Sequence, residues 1–278
     1  MGRLVGRGRW PTCATREIVP LAALATGLLG AACGARGHLA SPEAIARSFA
    51  SHRDRAIGGE PILDFLRRRT ATVVGGVETL AVEEGERAIS PKTRLRSEIA
   101  YSLERTSFRL VLGAAAAISK DGYFLTAAHV TAAAPLHLMI ERAGGVSAAP
   151  ARVVWSEGGA DVALLKADLE PEAWFDLRPD RPLRAGETVF AYCHFFGGAA
   201  GETEVAIDFE ALGPYETIGI PHDTPIGSGF SGGPGVGLDG TLLGVHASTG
   251  MDTIFKRRGW LARASPALLE RLVAEARR

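Results

Sequence analysis

Cysteine is scarce in this chain, which limits how the fold can be stabilised. The three cysteines are Cys13, Cys33 and Cys193. Two of them lie near the start of the chain, so no intradomain disulfide is expected for Cys193. The seven histidines do not combine with these cysteines into a metal-ligand spacing. We therefore expect a fold that depends on packing, requires no cofactor or metal, and holds Cys193 as a buried strand residue.

An excess of charge of one sign is also missing. Lys and Arg together number 31, as do Asp and Glu, so the formal net charge is zero, and aromatic residues make up only 7%. A domain that binds nucleic acid usually carries a basic patch, often interleaved with aromatic side chains. We expect no nucleic-acid partner.

The N-terminal apolar stretch is too short for a transmembrane helix. Residues Ile18–Ala32 are mostly apolar but contain Pro20, and a spanning helix needs about 20 apolar residues. Four arginines precede this stretch, as in the charged n-region of a secretory signal peptide. We predict that residues 1–33 are a signal peptide and that the protein is exported to the periplasm or the cell surface.

The end of this signal allows two outcomes. Gly30-Ala31-Ala32 precedes Cys33, and the run is similar to a bacterial lipobox, although the usual leucine is displaced by one position to Leu29. Either Cys33 is lipidated and anchors the protein, or cleavage simply follows a small residue. A lipid on Cys33 would be the chain's one contact with a membrane. Residues 34–65, rich in Ala, Gly, Arg and Ser, are then predicted to be a tether with one short helix capped by Ser41.

Three short motifs contain the residue types of a nucleophilic triad. Thr-Ala-Ala-His ends at His129, Asp-Val-Ala-Leu-Leu begins at Asp161, and Gly-Phe-Ser-Gly-Gly-Pro contains Ser231. A serine hydroxyl is a weak nucleophile at neutral pH. It needs a base to remove its proton and an acceptor that orients this base. The three residues are far apart in the sequence, so only the fold can bring them together.

These motifs resemble those of the chymotrypsin-like (trypsin-fold) serine proteases in their short bacterial form. The resemblance covers residues 66–278. It implies an all-β fold of two antiparallel β-barrels with a C-terminal α-helix. Barrel one would span about 66–175 and barrel two about 180–263. The helix is expected over 265–277, where Ser265 and Pro266 form a start signal, and no PDZ domain is expected to follow.

The pattern of residues also predicts individual strands. Short runs rich in apolar and β-branched residues are bounded by turn signals such as Asp239-Gly240. The charged stretch 78–105 is predicted to be a surface insertion. The predicted strands include 70–74, 109–112, 115–118, 123–126, 136–140, 151–155, 162–165, 187–194, 204–212 and 242–247.

The resemblance implies a serine endopeptidase that hydrolyses polypeptide substrates through an acyl-enzyme on Ser231. Backbone N–H groups of Gly229 and Ser231 would form the oxyanion hole. One alternative is a catalytically silent binding module on the same fold. Another is a serine esterase, since the nucleophile motif also fits Gly-x-Ser-x-Gly. Gly-x-Ser-x-Gly is the nucleophile motif of α/β-hydrolases, whose acid and histidine follow the serine in the sequence. In this chain His246 is the only histidine after Ser231.

The substrate-binding residues are expected, by the same resemblance, to be Pro225, His246, Ser248 and Thr249. Pro225 stands where trypsins carry an acid, so a preference for basic residues is not supported. His246 resembles a histidine of staphylococcal glutamyl endopeptidase. It is either a core residue or a reader of a substrate carboxylate. Phe230 replaces an aspartate that pairs with a freed N-terminal amine in animal trypsins, so activation by that ion pair is not expected.

Overall fold

The computed structural model describes residues 40–76, 111–142, 145–177, 183–204, 217–227, 229–251 and 257–278. The predicted signal peptide, Cys33 and the 78–105 insertion lie outside these residues. No helix within the described ranges is long and apolar enough to cross a membrane.

The structure differs from the tether that the sequence predicts for residues 34–65. From residue 40 onward this segment is folded against the second barrel. Helix α1 begins as predicted, with the Ser41 hydroxyl accepting the Ala44 N–H at 3.2 Å. Ile45 and Phe49 lie one turn apart and are both buried. Burying each of these side chains stabilises the folded state by about 2 kcal/mol. This is why the segment folds although most of its residues are small or polar. Its elements are α1 (Pro42–Phe49), β1 (Ala56–Ile57), β2 (Glu60–Pro61) and α2 (Ile62–Arg68).

The first barrel is closed by hydrogen bonds around its whole circumference, in the order β3-β4-β5-β8-β7-β6. Residues 111–112 and 115–117 of the predicted strands 109–112 and 115–118 belong to one continuous strand, which also contains Gly113; residues 109 and 110 lie outside the described part of the chain. The interior is formed by small and aliphatic side chains together with Phe124. The strands are β3 (Thr70–Gly75), β4 (Val111–Ala117), β5 (Tyr123–Thr126), β6 (Leu136–Arg142), β7 (Gly145–Glu157) and β8 (Val162–Ala167).

The second barrel is a six-stranded sheet in the order β10-β9-β12-β13-β14-β11. Among the described residues, which omit 205–216, its two edge strands meet at an isolated bridge between Thr203 and His222. Cys193 is buried at the end of β9, as predicted. Strand β10 was not predicted because it is rich in glycine, and predicted strand 204–212 lies outside the described residues from 205 onward. The strands are β9 (Thr188–Cys193), β10 (Gly197–Glu202), β11 (Thr217–His222), β12 (Pro234–Val236), β13 (Leu242–Met251) and β14 (Arg257–Ala264).

A C-terminal helix, α3 (Pro266–Ala276), completes the fold. Ser265 caps it by accepting the Leu268 N–H at 3.2 Å. Leu268, Leu269 and Val273 enter one apolar cluster with side chains from both barrels and from α2. The predicted fold class, two antiparallel β-barrels followed by a C-terminal helix, is therefore confirmed.

Candidate active site

His129 lies on a 3₁₀ turn (Ala128–Ala132) directly after β5. The chain leaves the strand in an extended conformation at Ala127, and the Val130 N–H then donates to the Ala127 carbonyl at 3.2 Å. The side chain of Val130 is completely buried and anchors the turn. Thr126, at the end of β5, donates its hydroxyl to the Ala114 carbonyl at 2.7 Å. The histidine is thus carried by a turn that is fixed on both sides.

Asp161 binds His129 with both of its carboxylate oxygens. Oδ1 accepts the His129 backbone N–H at 2.8 Å, and Oδ2 lies 2.7 Å from His129 Nδ1. When the imidazole is neutral, this contact places the ring proton on Nδ1 and leaves Nε2 as the proton-accepting nitrogen. Asp161 has a φ of 57°, a left-handed conformation that aspartate tolerates better than most residues. Asp161 therefore orients the His129 ring and fixes its tautomer.

The loop around Ser231 is held by both barrels. The Ser231 carbonyl accepts the Ala114 N–H of β4 at 2.7 Å. On the other side, the Gly232 N–H donates to the His246 carbonyl at 2.6 Å, and the His246 N–H donates to the Gly233 carbonyl at 2.9 Å. The Ser231 loop therefore lies at the seam between the barrels.

Close backbone contacts place the serine loop against the histidine segment. A Cβ added to Gly232, whose φ is 79°, would contact Thr126 Oγ1 and the Ala114 carbonyl, and would lie 2.9 Å from the Ala127 nitrogen. A Cβ on Gly113 would lie 2.7 Å from Val130 and 2.9 Å from the Ser231 carbonyl oxygen. Only glycine fits at these two positions. The structure thus joins His129 to Asp161 directly and packs the Ser231 loop against the residues that precede His129.

The predicted oxyanion donors lie in this same loop. Gly229 has a φ of 95°, which favours glycine. Among the described residues, neither the Gly229 N–H nor the Ser231 N–H donates to a backbone carbonyl. The Phe195 ring lies 3.2 Å from the position of a Cβ added to Gly229. This ring was not predicted as part of the site, since nothing in its sequence context marks it.

The predicted substrate-binding residues lie on two neighbouring segments. Pro225 is half-buried on the segment that leads to Ser231, while Ser248 and Thr249 belong to β13, and their side chains are not among those described. His246, also on β13, is 0% exposed. Its ring packs edge-on against the His222 ring, with centroids 4.9 Å apart, and against the Phe230 ring at 6.4 Å.

The two histidines of this ring pair, His222 and His246, are neutral. Burial lowers the pKa of His222 to about 3. Burial also lowers the pKa of His246 well below its usual value, and the neighbouring His222 lowers it further. Among the described residues, neither ring nitrogen of His246 has a hydrogen-bond partner. No group of three or more potential metal ligands occurs in the described part of the chain.

A family model described as a trypsin-like peptidase domain matches residues 113–245. His129, Asp161 and Ser231 all lie within this match. The chain carries a trypsin-like peptidase domain. The trypsin-like domain here is built of two β-barrels with the histidine and the aspartate on the first and the serine at their seam.

Curated relatives of this trypsin-like domain are DegP-like periplasmic serine endoproteases. The protein of Pseudomonas fulva is 33% identical over 155 residues, which is 53% of this chain and 30% of the relative. That of Halomonas elongata is 31% identical over 166 residues, which is 57% of this chain and 32% of the relative. The chain thus spans about a third of the length of these relatives.

A solved structure supports the same fold for the trypsin-like domain. The structure of the HtrA-type protease AlgW with a decapeptide superposes with a TM-score of 0.50 at 21% identity, and it covers 76% of this chain and 65% of that protein. At 21% identity this similarity is evidence for the fold alone.

Proposed function

We propose that this chain is an exported serine endopeptidase that cleaves polypeptides through an acyl-enzyme on Ser231. The observation that carries the proposal is the two-point contact between Asp161 and His129, beside a serine loop held at the barrel seam. A carboxylate that holds the Nδ1 proton of a histidine is the arrangement that makes Nε2 a general base. The DegP-like relatives, named as endoproteases, support the same reaction class.

Acylation would begin with attack of Ser231 Oγ on the carbonyl carbon of the scissile peptide bond. The hydroxyl proton moves to His129 Nε2 as the new C–O bond forms. The resulting oxyanion would accept hydrogen bonds from the Gly229 and Ser231 N–H groups, and one such donor contributes roughly 3 kcal/mol to the transition state. Nε2 then returns its proton to the leaving amine as the C–N bond breaks, while Asp161 stays ionised.

Deacylation would follow the same path with water in place of the serine hydroxyl. His129 Nε2 removes a proton from water, and the oxygen attacks the ester carbonyl. The tetrahedral intermediate collapses with protonation of Ser231 Oγ by the imidazolium. The products are a carboxylic acid and the regenerated serine, so no cofactor is required.

The role of His246 decides which substrates fit. A ring that is wholly buried and held neutral by burial favours a core role for this histidine over direct contact with a substrate carboxylate. We therefore propose that Pro225 and the β13 segment at Ser248 and Thr249 form the pocket wall, with His246 behind it. Cleavage of a peptide library by wild type and His246→Ala tests this, because a carboxylate reader predicts a preference for Glu or Asp that the variant loses selectively.

Export rests on the N-terminal sequence and on the periplasmic location in the names of the relatives. We propose a periplasmic or surface location, with a lipid on Cys33. Intact-mass analysis of the mature protein would reveal acyl groups on Cys33, and Cys33→Ser should release the protein from membranes. A mature chain without acyl groups would indicate export with simple signal-peptide cleavage and no lipid anchor.

An active-site phosphonate probe tests the proposed reaction. Wild type should be labelled on Ser231 and should hydrolyse peptides. Ser231→Ala should show neither, with catalysis reduced about 10⁴- to 10⁶-fold and the fold retained. A wild-type protein that is folded but neither labelled nor active would instead favour the silent binding module. Hydrolysis of simple esters without peptide cleavage would favour the esterase.

A further inference from the structure

Helix α1 touches the segment that leads into the nucleophile. The Ala40 N–H donates to the Ile226 carbonyl at 3.1 Å. A Cβ added to Gly227 would lie 3.4 Å from Ile45 Cδ1 and 3.6 Å from the Ala40 carbonyl oxygen. The start of α1 therefore contacts the chain four and five residues before Ser231.

The same helix contributes to the apolar cluster beneath the nucleophile loop. Ile45 is 0% exposed and shares one cluster with Ile226 and Phe230. Phe230, also 0% exposed, stacks on Phe196 with centroids 6.1 Å apart and planes 8° apart. Phe230 cannot form the ion pair that an aspartate forms at this position in animal trypsins. The position immediately before Ser231 is held by apolar packing instead.

The loop needs such support because of its composition. Glycine occupies positions 227, 229, 232 and 233, and each glycine widens the range of backbone conformations that the loop can adopt. The Ala114 and His246 contacts hold the part that follows Ser231. The part that precedes it, which contains the Gly229 donor, is contacted by α1 and by the Phe195 and Phe196 rings.

We propose that α1 and the residue leading into it are a positioning element for catalysis, in which Ile45 and the Ala40 N–H hold Ile226, Gly227 and Phe230 so that the Gly229 and Ser231 N–H groups converge on one oxyanion. The proposal rests on the proposed peptidase function. Ile45 acts through the loop and touches no substrate. Because oxyanion donors must be aligned before the reaction begins, loosening α1 should lower kcat and leave KM almost unchanged.

Two matched variants test this. Ile45→Ala shortens the side chain that supports the loop. Ile62→Ala makes the same change in α2, at an equally buried isoleucine that belongs to the large cluster shared by the two barrels. Both should lower Tm. At a temperature well below either Tm, Ile45→Ala should reduce kcat and the rate of phosphonate labelling about 10- to 100-fold, whereas Ile62→Ala should keep both near the wild-type value.

Hydrogen exchange gives a second readout that does not depend on activity. In the wild type the Phe230 amide donates to the Gly227 carbonyl at 3.2 Å and the Gly233 amide to the Phe230 carbonyl at 2.8 Å, so both hydrogen bonds depend on the part of the loop that α1 contacts. Exchange in the peptide that covers residues 226–233 should accelerate in Ile45→Ala and stay unchanged in Ile62→Ala. Ile45→Val should restore most of the kcat. If Ile45→Ala does not fold, Ile45→Val and Ile62→Val become the test, with a smaller fall in kcat expected for the first alone.

The outcomes separate this proposal from the reaction on which it rests. A wild-type protein that is not labelled overturns both. Labelling of wild type and of Ile45→Ala at the same rate overturns the positioning role and leaves the peptidase function in place. An equal loss of kcat in both alanine variants would indicate general softening of the fold, and would also overturn the positioning role.

Discussion

The two barrels of this protein are completed in different ways. Barrel one closes through its own strands, with β3 paired to both β4 and β6. In the part of the chain that the structure describes, barrel two is a sheet whose edges meet at one bridge, between Thr203 and His222. It is covered by α1, whose Phe49 ring packs 6.0 Å from the Phe190 ring of β9. Barrel one is thus completed by backbone pairing between its own strands, whereas barrel two is covered by a segment that precedes the barrels in the sequence.

This difference divides the candidate site. Barrel one carries the His129–Asp161 pair, where both hydrogen bonds join residues of the same closed barrel. The Ser231 loop depends on contacts from three sources, namely β4, β13 and the N-terminal segment. We infer that the geometry of the base is a local property, whereas the geometry of the nucleophile is assembled from distant parts of the chain.

The largest expected effect comes from breaking the pair in barrel one. Asp161→Asn should lower kcat about 10⁴-fold without unfolding the protein, because an amide stabilises the wrong imidazole tautomer. Steady-state hydrolysis at pH 7.5 measures this. Asp168→Asn, at an exposed acid just after β8, is the control and should keep wild-type kcat. If kcat falls less than about tenfold in Asp161→Asn, this aspartate is not the acid of the proposed triad.

A methyl group added at the seam should weaken the packing between the two barrels. Gly232→Ala places a Cβ against Thr126 Oγ1 and the Ala114 carbonyl at a φ of 79°. Strain and overlap together should cost about 3 kcal/mol of unfolding free energy and abolish activity. Urea denaturation measures the first, with Gly158→Ala as control because a Cβ there meets nothing within 4 Å. Equal stability of the two variants would contradict the close seam.

Barrel two should also be the acid-sensitive half. The folded pKa of His222, about 3, lies below its unfolded value, so the unfolded chain binds more protons between these values. Stability is therefore full above about pH 6.5 and falls as the pH decreases toward 3. Between pH 7 and pH 5 the loss should be about 2 kcal/mol for this histidine.

Urea denaturation of wild type and His222→Gln at the two pH values checks this. The variant should lose less stability than wild type on acidification, whatever its stability at pH 7. An identical pH dependence in the two proteins would mean that His222 is not held neutral in the folded state.

The smallest effect is expected where α3 meets barrel one. Arg277 binds both carboxylate oxygens of Asp121 at 2.9 and 2.6 Å and lowers the pKa of this acid to about 2. Both side chains are about half exposed, so Arg277→Gln should cost less than about 1 kcal/mol. The difference in Tm from wild type should shrink in 1 M salt. A salt-independent loss would point to packing of the arginine stem instead.

Local patterns predicted most of the elements. Short apolar runs and turn signals indicated β3, β5, β6, β8 and β9 within a few residues of their bounds, and the caps at Ser41 and Ser265 were found by their residue types. Strands β10, β11 and β14 and helix α2 were missed. Strand β10 consists largely of glycine and alanine, and α2 is only seven residues long, so that its helical state depends on the cluster it enters.

The residue types and the order of the three motifs determined the candidate triad, since each role in nucleophilic catalysis needs a particular side chain, and the resemblance of these motifs to trypsin-fold proteases implied the fold class. Only the tertiary structure decided the rest. It packed the short helix predicted within the tether against the Ser231 loop, and it placed His246 in a buried pair with His222. The physical reason is that burial and orientation depend on contacts between residues far apart in the chain, which no local pattern contains.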